Sequence, residues 1–483
     1  MTADLCLLAA TELARLLHTR QVSARELLDA SLARIDEVNP VLNAVVSRDD
    51  ERARQRAAEL DEAIVRTGPV GLLHGLPTAH KDLLDTAGLP TTFGSRVFAT
   101  NVPAEDSVLA ARVRAAGGVR VGKTNVPEFG AGSQTHNPLF GTTRNPYDPT
   151  RTPGGSSGGA AAALATGMVA VADGSDMGGS LRNPASFCNV VGLRPTPGRI
   201  PNVPSRDAWY DLSVLGPMGR RAADVALLLA ATAGPDPRDP YATWPQDPRL
   251  LQPLDRDLNG VRAAWGGTLG LPFEREVLDM HERARASVES LGVELTEAEP
   301  SVSGADQVFR TLRGWQMATT IGDAVERAGD TVGPMVRQNV AYGRTVTAAQ
   351  LAAAQHRRTA LLRSAAEFFG RYEYLFLPVS QVLPFDADLP WVREIEGEKM
   401  PDYLGWMRSS YLISVLRVPA ASVPAGFTPD GLPVGLQVVG RPGDDVGVLQ
   451  VAHALEQVLP ASWERSPDLA ALRRAADAGT AEE

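Results

Sequence analysis

Two glycine-rich stretches set serine where a backbone can approach a reacting atom: PGGSSGG, Pro153 to Gly159, and GSDMGGSLRNP, Gly174 to Pro184. Glycine in such loops cradles phosphate, turns the chain tightly, or lets N–H groups come close to a developing charge. Phosphate fits poorly, because the first stretch lacks the Lys-Ser/Thr that follows a P-loop and the GxGxxG spacing of a dinucleotide site. An exposed flexible turn is the competing reading. Against it, each stretch abuts an apolar segment, AAAALATG after the first and MVAVADG before the second, which puts both loops at the ends of buried elements. Buried N–H groups are costly there unless something uses them. The chemistry this arrangement suits is nucleophilic, and a serine nucleophile needs a base.

Histidine is the usual base, and neither stretch contains one. His18, His281, His356 and His453 fall in helical patterns among charged or alanine neighbours and read as surface residues. His74 and His136 fall in loops, with His136 a minor candidate. His80 stands beside Lys81 in the strand-like LPTAHKDLL. Successive strand residues face opposite ways, so only one of that pair can enter a shared site. Lys81 has two readings. It can snorkel to water from the end of its strand. If it is enclosed, desolvation penalises the ammonium and leaves a neutral amine able to take a proton from a hydroxyl. A Ser-Lys couple then needs no histidine.

The bulk of the chain narrows the partner. Its 483 residues are 44% hydrophobic, enough for one large or two ordinary domains with a core. Forty-seven basic against 57 acidic residues give a net charge of -10, which argues against a nucleic-acid footprint or attraction to anionic lipid and leaves a small molecule as the partner. Cys6 and Cys188 form neither a disulfide framework nor a metal-ligand spacing, so a reducing cytoplasm is the expected compartment and no metal is called for. LCLLAA lacks a basic leader and passes straight into TELARLLHTR, so it does not read as an export signal. AAAALATGMVAVA is too short to span a bilayer. A monomer or a homodimer is expected.

The elements that must position these residues follow from periodicity. Residues 1–70 read as helices packed on the core, with Ser23 and Glu26 as a capping box opening SARELLDASLARIDEV. Residues 71–235 alternate β-like runs (LPTAHKDLL, VRVGKT, MVAVADG) with helical patterns such as SVLAARVRAAGG, which argues for an α/β fold. PDPRDPYATWPQDPRLLQPLDRD suits a surface connection. The block 236–465 continues the same domain with strands VRAAWG, VELTE, YLFLP and VGLQVVG. Between them lie helical patterns from about 303 to 369, where Thr347 and Gln350 form another capping box. Residues 466–483 form a tail, whose end RRAADAGTAEE shows no apolar periodicity and is expected to fray.

Taken in order, these pieces identify the chain as similar to the amidase signature family. The likeness runs from about residue 10 to 460 through GLPTAHKDLLDTAGLPTTFGS, VGKTNVPEF, TPGGSSGGAAAALATGMVAVADGSDMGGSLRNPASFCNVVGLRPTPGRIP, LSVLGPMGR and GLPVGLQVVG. It implies a single large α/β domain with a central mixed β-sheet flanked by helices on both faces. It also implies a Ser-Ser-Lys triad: Ser180 as nucleophile, Ser156 as bridging serine after a cis peptide bond, and Lys81 as base, with Ser157 the alternative to Ser156. By the same resemblance the N–H groups of Met177, Gly178 and Gly179 face an oxyanion, the Gly130 carbonyl contacts substrate, and Lys123 is not the base. Asp176 and Arg182 are expected to pair and brace the nucleophile's loop, and Cys188 to be a small buried residue. The sequence departs from the family pattern at Ser175, Asn189 and Arg194, positions expected not to touch the triad.

The implied activity is hydrolysis of a carboxylic amide to acid and amine through a serine acyl-enzyme, without a cofactor. Ester, anilide and carbamate carbonyls present the same electrophile. The alternative is the amidase subunit of a glutamyl-tRNA amidotransferase, although LSVLGPMGR and the aromatic block around WVREIEGEKMPDYLGWM look more like a stand-alone amidase. A binding protein without activity on this scaffold is disfavoured by the intact Lys81, Ser156 and Ser180. Trp209, Tyr210, Phe309, Trp315, Met317, Trp391, Tyr403, Trp406 and Met407 are candidates for an apolar pocket, with most of them expected in the core.

Overall fold

Apolar runs of four to eight residues bounded by Gly, Pro and Asn suit buried strands better than helices. In the computed structural model, which describes residues 4–480, eleven such runs pair into one mixed sheet. They are β1 (Val45–Arg48), β2 (Pro77–Lys81), β3 (Val119–Thr124), β4 (Val171–Asp176), β5 (Val191–Arg194), β6 (Val214–Gly219), β7 (Arg262–Trp265), β8 (Glu294–Glu297), β9 (Tyr374–Pro378), β10 (Ala420–Phe427) and β11 (Pro433–Gly440). Their spatial order is β1-β3-β2-β4-β6-β5-β10-β11-β9-β7-β8. β2 runs parallel to both β3 and β4, as β7 does to β8 and β9. The other pairs are antiparallel. The sheet continues across the Pro- and Asp-rich connection, so the chain is a single large domain flanked by helices, as expected.

Helices form where apolar residues recur on one face. Ala10–His18, Ala24–Leu42 and Asp50–Thr67 open the chain, and the Ser23–Glu26 capping box is formed. Ala24–Leu42 buries Leu28, Leu32, Ile35 and Leu42, a stripe of one helical face. Ala305–Thr320, Pro334–Thr345 and Ala348–Arg371 fill the expected helical block, and Thr347 caps the last of these with Gln350. No helix among the described residues is long and apolar enough to cross a membrane.

Two expectations fail. The tail does not fray over its described part: Leu469–Thr480 is a helix in which Leu472 and Ala476 are buried, and Arg473 pairs with Glu37 at 2.8 Å. Leucines and alanine four to seven residues apart carried that signal, masked by the charged residues between them. Residues 481–483 lie outside the described residues. His281 is not on the surface. It is buried, donates Nε2–H to the Gly266 carbonyl at 2.9 Å, and stacks on Trp265 with ring centroids 4.1 Å apart. Burial lowers its pKa to about 4, so it is neutral.

The first glycine stretch does structural work in this frame. Ser157 leads into the helix Gly158–Ala165, all eight residues of which are buried. Its glycines let it lie against the neighbouring backbone. A Cβ on Gly159 would stand 2.4 Å from the Asn125 nitrogen and 2.7 Å from the Ala44 carbonyl oxygen. Backbone atoms cannot swing aside as a flexible side chain can. We therefore expect Gly159→Ala to destabilise by about 1–3 kcal/mol in a denaturant titration, in spite of alanine's higher helix propensity. Gly370→Ala, at an exposed helical position with no atom within 4 Å of the new methyl, is expected to stabilise by about 0.5–1 kcal/mol.

Candidate active site

Three chain segments converge at the ends of two neighbouring parallel strands. Lys81 is the last residue of β2, β4 ends at Asp176 and turns through Met177 to Leu181 into the helix Arg182–Phe187, and Ser156 and Ser157 precede the helix Gly158–Ala165. Strand alternation separates the two candidates at the end of β2. His80 points away from the serines, with Nδ1 2.5 Å from Asp173 Oδ2. Lys81 points toward them.

Lys81 does not snorkel; its side chain is fully buried. Nζ lies 2.8 Å from Ser156 Oγ, 2.8 Å from Ser157 Oγ and 3.0 Å from Ser175 Oγ. Among the described residues no carboxylate comes within 4.0 Å of it. Burial lowers its pKa to about 7 against the opposing pull of Asp176 and Asp173, so near neutral pH a substantial fraction of the amine is uncharged. Lys123, the other buried strand lysine, hydrogen-bonds the Leu84 carbonyl, Thr86 Oγ1 at 2.9 Å and Thr91 Oγ1 at 3.0 Å, and so ties down the 84–91 loop.

The serines differ in what they face. Ser156 and Ser180 both open onto one cavity of about 230 Å³, together with Gly130, Ser175, Met177 and Gly178. Ser157 is fully buried and donates its N–H to the Ser180 carbonyl at 3.2 Å. The Gly155–Ser156 peptide bond is cis. Gly130 adopts φ +67°, and a Cβ there would lie 3.6 Å from Ser156 Oγ, which places its backbone beside Ser156. The expectation that the departures from the family pattern avoid the triad fails at Ser175, whose hydroxyl is a direct neighbour of Lys81 Nζ. Asn189 stands at φ +54°, a left-handed conformation that glycine adopts freely and asparagine tolerates.

Asp176 organises the turn that carries Ser180. Its Oδ1 accepts the Gly179 N–H at 2.9 Å and its Oδ2 the Leu181 N–H at 3.2 Å. Arg182 closes on it through Nε and Nη2, each at 3.0 Å, and Arg194 lies 3.5 Å away. Burial alone would raise this carboxyl, but the two guanidiniums and the amide donors outweigh it and hold the group well below the ordinary carboxylate range. The bracing pair is therefore formed. One expected oxyanion donor differs, because the Gly179 N–H is turned to Asp176. The N–H groups of Met177 and Gly178 have no protein acceptor among the described residues. Gly178 is also closely covered: a Cβ there would meet Met407 Cε at 2.9 Å and Phe309 Cζ at 3.1 Å.

Of the candidate pocket residues, Phe309, Met317, Tyr403 and Met407 line the cavity. Trp406 is fully buried in the core, its indole N–H donating to Ser133 Oγ at 2.8 Å, and Trp209 is 75% exposed. Cys188 is buried, as expected. Sequence reasoning missed Phe93, Phe129 and Arg313 on the cavity wall. Phe93 and Phe129 gave a signal in lying within GLPTTFGS and VPEFG, beside the motif residues already singled out. A wider chamber of about 620 Å³ shares Leu83, Phe93, Phe129 and Ser175 with the cavity and gives it depth.

The chain matches the family described as Amidase over residues 26–449. It is 36% identical over 468 residues to an acylamidase of Rhodococcus erythropolis, covering 95% of this chain and 97% of that one. It is 34% identical over 488 residues to one subunit of the glutamyl-tRNA(Gln) amidotransferase of Thermosynechococcus vestitus, covering 95% and 99%. Among solved structures it superposes on a bacterial aryl acylamidase with a TM-score of 0.89 at 28% identity, over 95% of this chain and 98% of that one. The chain belongs to the amidase signature family and is a hydrolase acting on amide carbon–nitrogen bonds.

Proposed function

We propose that the chain is a stand-alone amidase working through a Ser180 acyl-enzyme, with Ser156 as proton relay and Lys81 as base. The observation that carries this is the fully buried amine of Lys81, held 2.8 Å from Ser156 Oγ and with a pKa of about 7. In the first step neutral Lys81 accepts the proton of Ser156 while Ser156 takes that of Ser180, whose oxygen adds to the substrate carbonyl. The N–H groups of Met177 and Gly178 face the oxyanion that forms, and Gly179 permits their approach through its φ of +108° while its own N–H holds the turn. Collapse of the tetrahedral adduct breaks the carbon–nitrogen bond, and Ser156 returns a proton to the leaving amine. Water, deprotonated through the same relay, then releases the acid. The Gly130 carbonyl contacts substrate beside Ser156.

The identity with an amidotransferase subunit keeps glutamine among the amides to be assayed, with ammonia release in the absence of a partner as the readout. Anilides enter through the likeness to the acylamidases, and esters and carbamates through their shared electrophile. A reducing cytoplasm suits the two free, buried cysteines.

Ser180→Ala is expected to lower amide turnover by at least about 1,000-fold with the Tm nearly unchanged, and activity close to wild type would place the nucleophile elsewhere. The pH profile tests the base. Lys81 works only when unprotonated, so kcat/KM should rise with pH through an apparent pKa near 7 and level off above it. In Lys81→Met turnover should fall by at least about 100-fold, and the residual rate should lose that limb. A limb near 7 that survives the substitution would assign it to another group.

A further inference from the structure

The helix Ala305–Thr320 turns Phe309, Arg313, Gln316 and Met317 onto the cavity that holds Ser156 and Ser180. Arg313 is the anomaly. Its side chain is only 7% exposed, and that exposure is to the cavity it lines. A guanidinium carries five N–H donors and no means of discharging itself. Nη1 donates to Asn339 Oδ1 and Nη2 to the Tyr403 hydroxyl oxygen. Both acceptors are neutral. Asn339 is oriented by its own amide, which donates to the Met335 carbonyl at 2.7 Å, and burial raises the Tyr403 phenol so that it keeps its proton.

No carboxylate among the described residues lies within 4.0 Å of Arg313. Other arginines of the fold are provided for: Arg182 and Arg194 share Asp176, and Arg358 and Arg417 share Asp211. Asp402, next in sequence to Tyr403, is held by Arg310. A charge taken out of water is costly unless it is paired, and here the pairing partner is missing from the protein itself.

Resting on the amidase reading above, we propose that Arg313 is a specificity-determining residue and that the preferred substrates are amides carrying a carboxylate of their own. The carboxylate accepts from the remaining donors of the guanidinium fork, which Asn339 and Tyr403 hold in a fixed plane. Phe309, Met317 and Met407 flank the carbon chain or ring between that carboxylate and the carbonyl attacked by Ser180.

Two matched pairs test this, one for each side of the amide bond: N-phenylglutaramate against hexananilide, and 4-acetamidophenylacetate against 4-ethylacetanilide. The wild-type protein should favour the carboxylate member of at least one pair by roughly 10- to 100-fold in kcat/KM. Arg313→Met should bring that ratio to about 1, and Arg313→Lys should retain part of it. Equal rates within both pairs, or a preference that survives Arg313→Met, would overturn the assignment. If none of the four compounds is turned over, the amidase reading fails for these substrates, and calorimetric titration with glutarate decides the site separately. Binding weakened about tenfold or more in Arg313→Met sustains the assignment, whereas equal binding or none to wild type overturns it.

Discussion

The arrangement depends on one buried amine. Removing an ammonium from water is so unfavourable that the protein must pair it, solvate it internally or let it lose its proton. At Lys81 the neighbours are hydroxyls rather than carboxylates, and the acid nearest in role, Asp176, is committed to two arginines. That commitment matters for the lysine. A free carboxylate at the same place would pull the amine back to its charged form, and the brace on the turn keeps the negative charge compensated. The ion pair and the buried amine are thus one electrostatic device, although only the lysine touches Ser156.

Backbone closeness supplies the second constraint. β2 and β4 lie side by side and parallel, with Thr78 opposite Val171 and Ala79 opposite Ala172, which brings Lys81 close to the turn that follows Asp176. The helix from Gly158 reaches them because Gly159 allows backbone-to-backbone contact with Asn125 and Ala44, and Gly158 a close approach to the Thr135 side chain, that a methyl group would block. Gly178 and Gly179 leave room on the other strand for side chains instead, where Met407, Phe309 and Ser410 press against the turn. The two glycine stretches therefore answer the same packing demand from opposite sides of the site.

Much of this was legible in the residues. The strands ending at Lys81 and Thr124, the capping boxes at Ser23 and Thr347, and the pairing of Asp176 with Arg182 follow from local pattern and charge. Four strands, at 45–48, 191–194, 214–219 and 420–427, were not, since short segments rich in Gly, Pro and Ala give little periodicity and are fixed by their neighbours in the sheet. His281 went to the wrong side of its helix because charged residues beside it concealed a stacking partner, Trp265, that is distant in sequence. Arg313 was invisible for the same reason: its lack of a counter-ion is a property of everything packed around it.

The three hydroxyls about Lys81 carry a last implication. An amine equally near to several donors cannot choose among them by distance or basicity. The opening removes one of them: Ser157 is walled in behind the helix start, whereas Ser156 and Ser175 share a void with Ser180. Under the proposed mechanism, route choice for the hydrogen is thus a matter of who meets the visitor, and reshaping the void would redirect traffic without altering the lysine at all.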